Sequence, residues 1–463
     1  MSIETTNRIV EHIAGARLED LGSTDVAKAK IFLLDTLGVG IAGSSGASVS
    51  ALLTTVQAWG KGDEATIWVT GQRVSAQAAA IVNAYQIHCL EYDCVHEGAV
   101  VHPMATVLST MLAYAERRSV AGRPVNGADF LMAMVLGVDV AAYVGMAATG
   151  PVRFFRPATA GGLGATAAIA RLEGLKDAGI KDALGNMYGQ TCGTLQPHAE
   201  GSPLLGLQIG FNARGALAAL DLATAGFRGP HDIFDGQYGY LPMFEAGDFD
   251  LEIIWRDLGR KWQMSELSHK PFPSGRLTHG VVDALNRITR DLNITADNIV
   301  GITGRVPPLV YRLVGRPDVP DPEPNYAKLC LRYVAGAWMA RGKVDVPEFR
   351  GREVLADPEI HRHAAKVDLV LDDNPDENAL DPQTFEFKLK DGRVETIELT
   401  NVFGHPKAAL TPEQNREKFD RCVTYGARPM PPGQSHRLAE AVEKLEHLKD
   451  VAELARLTVV HNE

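Results

Sequence analysis

The chain is short of cysteine: Cys89, Cys94, Cys192, Cys330 and Cys422 are the whole supply in 463 residues. Their number is odd and no two are spaced as CxxC. That argues against a disulfide framework or a structural zinc site, and for a reducing, cytoplasmic setting. An excess of positive charge is missing as well. Lys and Arg total 46 against 57 Asp and Glu, a formal charge of −11, so nothing resembles a footprint for nucleic acid. No long apolar run goes uninterrupted. The least polar stretch, residues 130–149, is broken by Asp139 and rich in Gly and Ala, which reads as a buried core helix rather than a membrane span. Residues 1–21 carry acidic groups and no apolar signal core, so no secretory leader is expected. No P-loop, no GxGxxG after a strand, no GxSxG elbow and no HExxH occurs, so the chemistries those motifs support have no footing here.

What is present is ordinary globular material, 45% hydrophobic and 22% charged, long enough for two domains. Up to about residue 264 the chain reads as successive helices. Segments 25–42, 76–92, 104–117, 127–148, 160–173 and 211–225 carry apolar residues at three- and four-residue spacing. Their many small residues, as in AQAAAIVNA and GGLGATAAIA, suit close helix packing. GGLGAT at 161–166 therefore reads as a packing element before it reads as a phosphate cradle. After Lys270 the pattern changes. IVGITGRV and VDLVLDD are short and β-branched, and FEFKLKDGRVETIEL alternates on both sides of Asp391-Gly392, a hairpin signal. A helix near 326–341 lies among them. From Pro412 the chain is helical again. The expected fold is mainly α: a large helical domain (1–264), a smaller α+β domain (265–400), and a helical tail (401–463) returning to the first.

The densest polar segment is LEYDCVH (90–96), followed by His102-Pro103, between two apolar helices. Glu, Asp and His crowded there can titrate or bind metal, so the segment is a candidate site. Pro103, opening the second helix, would fix His102 just outside it. The plainer alternative is that Asp93 caps a helix and His96 and His102 are solvated. A metal is not expected, because no second ligand cluster has recognisable spacing. HKPFPSGR (269–276) lies at the domain junction and presents Lys270 and Arg276, as a site or as a stiff linker. Arg156, between aromatics and a small-residue helix, needs an anionic partner, either a protein carboxylate or a ligand. The stretch 198–210, with His198 and Gln208, is a weaker candidate.

Several blocks together resemble the MmgE/PrpD family: LLDTLGVGIAG (33–43), LEYDCVH followed by HP, RFFRPATAGGLGATAAIARLEGL, FNARGALAALDLATAGFRGP, FDGQYG and KPFPSGRLTH, in the family's order along nearly the whole chain. The resemblance implies a helical domain and an α+β domain, usually in a homodimer, with the site between them and no cofactor. It implies chemistry beside a carboxylate of a small polycarboxylate, with no role for nucleic acid or membrane. It places Glu91, Asp93, His102 and Lys270 on family positions, and Arg276 and Tyr311 on further ones. The departures are Arg156 where many members have histidine, Leu205 for a lysine, Gln208 for a histidine, Tyr143 for an arginine and Gly275 for a histidine.

Losing these donors points away from a dehydratase or decarboxylase acting on a methylcitrate- or aconitate-like tricarboxylate. The first expectation is an epimerase that moves the α-proton of a dicarboxylate of the iminodisuccinate kind, with the lyase as the alternative. In that scheme His102 and Lys270 transfer protons, Asp93 orients His102 and Tyr143 is a reserve acid. Arg156 and Arg276 clamp carboxylates. Gln208, His96 and Tyr311 complete the substrate contacts. A non-catalytic binder on the same scaffold is the reading from another class.

Overall fold

The computed structural model describes residues 3–461. Six helices carry most of the first body: Ser23–Gly43, Ala76–His88, Pro103–Val120, Gly127–Ala147, Arg156–Glu173 and Leu204–Thr224. Small residues decide how closely they pack. A Cβ on Gly164 would lie 2.3 Å from the Gly137 carbonyl oxygen, and one on Gly43 would lie 1.7 Å from that of Gln86. Gly127–Ala147 is long and apolar enough to cross a membrane, but 94% of its most apolar window is buried inside the molecule. It is a core helix.

Boundaries differ from expectation where local backbone chemistry intervenes. The helix expected to run to residue 92 ends at His88, because Glu91 takes a left-handed φ of +52° that breaks the spiral. The helix expected from 160 begins at Arg156, with Pro157 in its first turn. Helices Glu4–Gly15, Val49–Trp59 and Asp177–Tyr188 were not anticipated.

The second body is built on a four-stranded sheet. Apart from the short hairpin β1 (Ala65–Thr66) and β2 (Arg73–Val74) in the first body, the strands are β3 (Ile299–Val306), β4 (Val367–Leu371), β5 (Gln383–Leu389) and β6 (Val394–Leu399). Their order is β4-β3-β5-β6, with β3 and β4 parallel and the other pairs antiparallel. β5 buries Gln383, Phe385, Phe387 and Leu389 and turns the residues between them to solvent, the alternation of a half-buried strand. The Asp391-Gly392 turn forms as expected, with Gly392 at φ +88°. The helix near 326–341 is two pieces, Pro324–Lys328 and Leu331–Arg341.

The helical tail forms Pro412–Cys422, Pro432–Glu443, a short 3₁₀ turn and Ala452–Thr458, with a break before the last. The break lets it cross the start of helix Gly127–Ala147, where Gly127 N–H donates to the Leu448 carbonyl and Val451 N–H to that of Val125. Phe419, Leu438, Leu445 and Leu454 of the tail join the apolar core of the first body, while the sheet and its helices enclose a separate one. The architecture is mainly helical with a smaller α+β part.

Candidate active site

Helix Ala76–His88 delivers His88 at its last turn, fully within the core. The chain then makes an irregular loop to His102, which caps the next helix with Pro103 behind it. Two non-glycine residues of this loop, Glu91 and Val100, hold positive φ values of +52° and +54°. For a β-branched valine that is strained, and such strain gathers at functional sites. Residues 268–276 lie against the loop, locked by paired backbone hydrogen bonds between Val95 and Ser268 at 3.0 and 2.7 Å. The structure thus brings together the two stretches singled out in the sequence.

Between them sits a compact ion network. His88 Nδ1 donates to Asp93, 3.0 Å from Oδ2, and its Nε2 lies 3.1 Å from Glu91 Oε1 but off the line of a hydrogen bond. Lys270 Nζ donates to Glu91 Oε2 at 2.9 Å and stands 3.8 Å from Asp93. His102 Nδ1 lies 2.9 Å from the Cys94 carbonyl and 3.5 Å from Asp93 Oδ2. A carbonyl only accepts, so Nδ1 carries the His102 proton and Nε2 keeps the lone pair.

The electrostatics separate the two imidazoles. Burial works against a charge on His88, but Asp93 and Glu91 outweigh it and raise its pKa to about 9. Burial, and then the Lys270 ammonium, lower His102 to about 4. Burial also opposes ionisation of the two acids, yet Lys270 and His88 hold Glu91, and His88 and His102 hold Asp93, below the usual carboxylate range. At neutral pH His88 is therefore an imidazolium whose Nε2–H faces Glu91 Oε1, and His102 is a neutral acceptor. Their ring centroids are 5.1 Å apart. His88, Asp93 and His102 are close enough to share a metal ion. Holding one would require His88 to give up a proton and the ion to compete with the Lys270 charge beside Asp93.

His88, Glu91 and His102 open onto a hollow between the two bodies, whose walls include Val152, Phe154, Leu205, Leu309 and Leu313. His198 lines it too. Arg316 Nη2 donates to His198 Nδ1 at 2.9 Å, so the proton of this imidazole is on Nε2. Burial and then Arg316 lower His198 to about 4, leaving it a neutral N–H donor.

The other residues expected here are placed otherwise. Lys270 is fully buried beneath Glu91 and is not among the residues that line the hollow. Arg156 lines the wall, but its Nε and Nη2 donate to Glu245 at 2.9 and 2.8 Å with both side chains 1% exposed. Its planar fork is already filled. Arg276 likewise donates to Glu97, Phe403 O and Val402 O at 2.8, 2.6 and 2.9 Å. Gln208 braces a loop by accepting from Thr194 N–H at 2.7 Å and donating to Thr194 O. His96 accepts from Ala99 N–H and donates to Gln263. Tyr143 donates to Lys261 O at 2.7 Å, accepts from Gln263, and is pushed upward by burial, away from any acid role at this hollow. Tyr311 is 44% exposed, on the outer side of a helix that turns Leu309 and Leu313 inward. His88 and Arg316 were missed, whereas His198, a weaker candidate in the sequence, lines the hollow. A histidine five residues before Asp93, ending an apolar helix, is the only trace of the first in the sequence, and a lone core histidine looks the same.

The MmgE/PrpD N-terminal domain profile matches residues 7–252, and the C-terminal domain profile matches residues 272–447. Cis-aconitate decarboxylase of Mus musculus is 27% identical over 96% of this chain and 91% of its own length. That of Homo sapiens is 26% identical over 98% and 94%. That of Aspergillus terreus is 25% identical over 62% and 60%. With both profiles matched in sequence order over most of its length, the chain belongs to the MmgE/PrpD family.

Proposed function

We propose that the protein is a lyase that breaks a bond beside a carboxylate of a small organic acid, most simply by releasing carbon dioxide, with His88 as proton donor and His102 as proton acceptor. One observation carries this reading: two imidazoles on one carboxylate, raised to about 9 and lowered to about 4. Environments that push paired groups apart assign an acid and a base. The chain's similarity to proteins named cis-aconitate decarboxylase, along more than nine-tenths of two of them, supports a decarboxylating lyase.

In decarboxylation the carbon–carbon bond to the departing carboxylate breaks and its electron pair passes to the carbon skeleton. The His88 Nε2 proton is delivered to carbon, and a solvent proton restores the imidazolium. Where the substrate has a hydrogen beside a second carboxylate, His102 Nε2 removes it and returns it to another carbon of the skeleton, so that the one net proton gained at carbon is that from His88. His198 Nε2–H donates to the carboxylate that gathers the negative charge. An apolar wall favours loss of a charged carboxylate as neutral carbon dioxide. Because Glu245 and Glu97 occupy Arg156 and Arg276, the substrate carries fewer carboxylates than a tricarboxylate and an apolar arm. The expected dicarboxylate epimerase is the second reading, less well supported because the relatives that the chain resembles are named as decarboxylases.

The test is incubation with mono-, di- and tricarboxylates in deuterated buffer, read by proton NMR and by carbon dioxide release. Carbon dioxide with one deuteron placed on carbon is the expected outcome. Hydrogen exchange at a carbon with no bond lost supports the epimerase instead. Turnover unaffected by both His88→Gln and His102→Gln removes the assignment.

A further inference from the structure

A second cavity is lined by Ser45, Ala47, Leu90, Pro273, Lys328 and Arg350. Two of these are cations. Lys328 is 4% exposed and donates to Cys89 O at 2.8 Å and to Asn325 Oδ1 at 3.3 Å. Arg350 is half-buried, donates from Nη2 to Ser45 Oγ and Tyr425 O, and lies over the Tyr425 ring. Its Nε is buried with no hydrogen-bond partner. Among the described residues neither cation has a carboxylate within ion-pairing distance, although the chain as a whole carries 57 acidic groups against 46 basic ones. The acids that act on them are already committed: Glu91, which acts on Lys328, pairs with Lys270, and Asp345, which acts on Arg350, pairs with Arg421. Burial pushes Lys328 and Arg350 down, and the charge of Arg350 adds to the effect on Lys328. Two desolvated like charges facing one cavity are costly unless something neutralises them.

We propose that this cavity is a binding site for a small oxyanion, phosphate or carboxylate, held by Lys328 Nζ and the Arg350 guanidinium. The site is distinct from the hollow and does not depend on which reaction occurs there. It touches the catalytic loop through one bond, from Lys328 Nζ to the carbonyl of Cys89, the residue after His88. Anion binding therefore sets the position of the helix end that carries His88.

The experiment uses the full chain in an anion-poor buffer at fixed ionic strength. Melting temperature and calorimetric heat are followed on adding inorganic phosphate or, separately, malonate, with chloride as control. A saturable rise beyond that of chloride is expected with one or both, and whichever acts names the class of anion. Arg350→Gln, at a half-exposed position and so able to fold, should weaken that binding at least tenfold, as should Lys328→Met. His102→Gln should retain it, which separates this cavity from the hollow. A response matching chloride, or one unchanged in Arg350→Gln, overturns the proposal.

Discussion

At the residue scale the ion network turns on Asp93, and its two imidazoles make opposite demands on pH. His102 must be neutral, so kcat/KM falls as pH drops toward about 4; His88 must be protonated, so it falls as pH rises past about 9. The expected profile is a broad bell whose limbs belong to the coupled pair. His88→Gln should lower kcat about 10²–10⁴-fold and abolish the alkaline limb while leaving the acid one. The same histidine links stability to pH. Its folded pKa lies above the unfolded 6.5, so its contribution is fully present below about pH 6.5 and is lost as pH rises through about 9. Denaturation midpoints of wild type and His88→Gln should therefore converge between those values. Arg156 yields a different prediction. Glu245→Gln strands a buried guanidinium and should cost about 3–5 kcal/mol in chemical denaturation. The double change Arg156→Met, Glu245→Met should recover most of that cost.

At the scale of elements, helix contact through glycine controls where His88 stands. Gly43→Ala would force a Cβ into the Gln86 carbonyl, two residues from His88. The cost should be about 1–3 kcal/mol, with kcat reduced far more than KM changes, as steady-state kinetics would show. Elements were readable from the sequence wherever their signal was local. The β5–β6 hairpin announced itself through alternation around Asp391-Gly392, and Pro103 announced the helix that His102 caps. What could not be read was partnership across the chain. Nothing near Arg156 says that Glu245 fills its fork, and nothing near Arg276 foretells Glu97 and two carbonyls from residues 402 and 403. A charge next to a pocket therefore looked like a ligand contact, when folding had already supplied its counter-charge. Lys270 belongs to the right cluster for the same reason that it misses the hollow: Glu91, on the facing strained loop, covers it.

At the scale of the whole molecule, the tail binds the first body by more than apolar contact. Lys418 Nζ lies 2.7 Å from Asp35, both nearly buried, donates to Tyr92 O at 3.0 Å and sits over the Tyr92 ring. Lys418→Met leaves Asp35 as an unpaired buried carboxylate beside the active loop. The expected cost is about 3–5 kcal/mol, with most of it returned in Asp35→Asn, Lys418→Met. Thermal unfolding of the two variants checks this, and activity should follow stability because Tyr92 lies between Glu91 and Asp93.

That clasp also bears on how the protein is made. Helix Ser23–Gly43 leaves the ribosome long before Lys418 exists. At roughly 5–20 residues per second, Asp35 and the apolar surface around it wait on the order of tens of seconds for the segment that covers them. The nascent first body is thus an unfinished, sticky intermediate throughout synthesis of the sheet. A circular permutant that begins near Thr411 and joins the old ends should fold during translation with less help from chaperones.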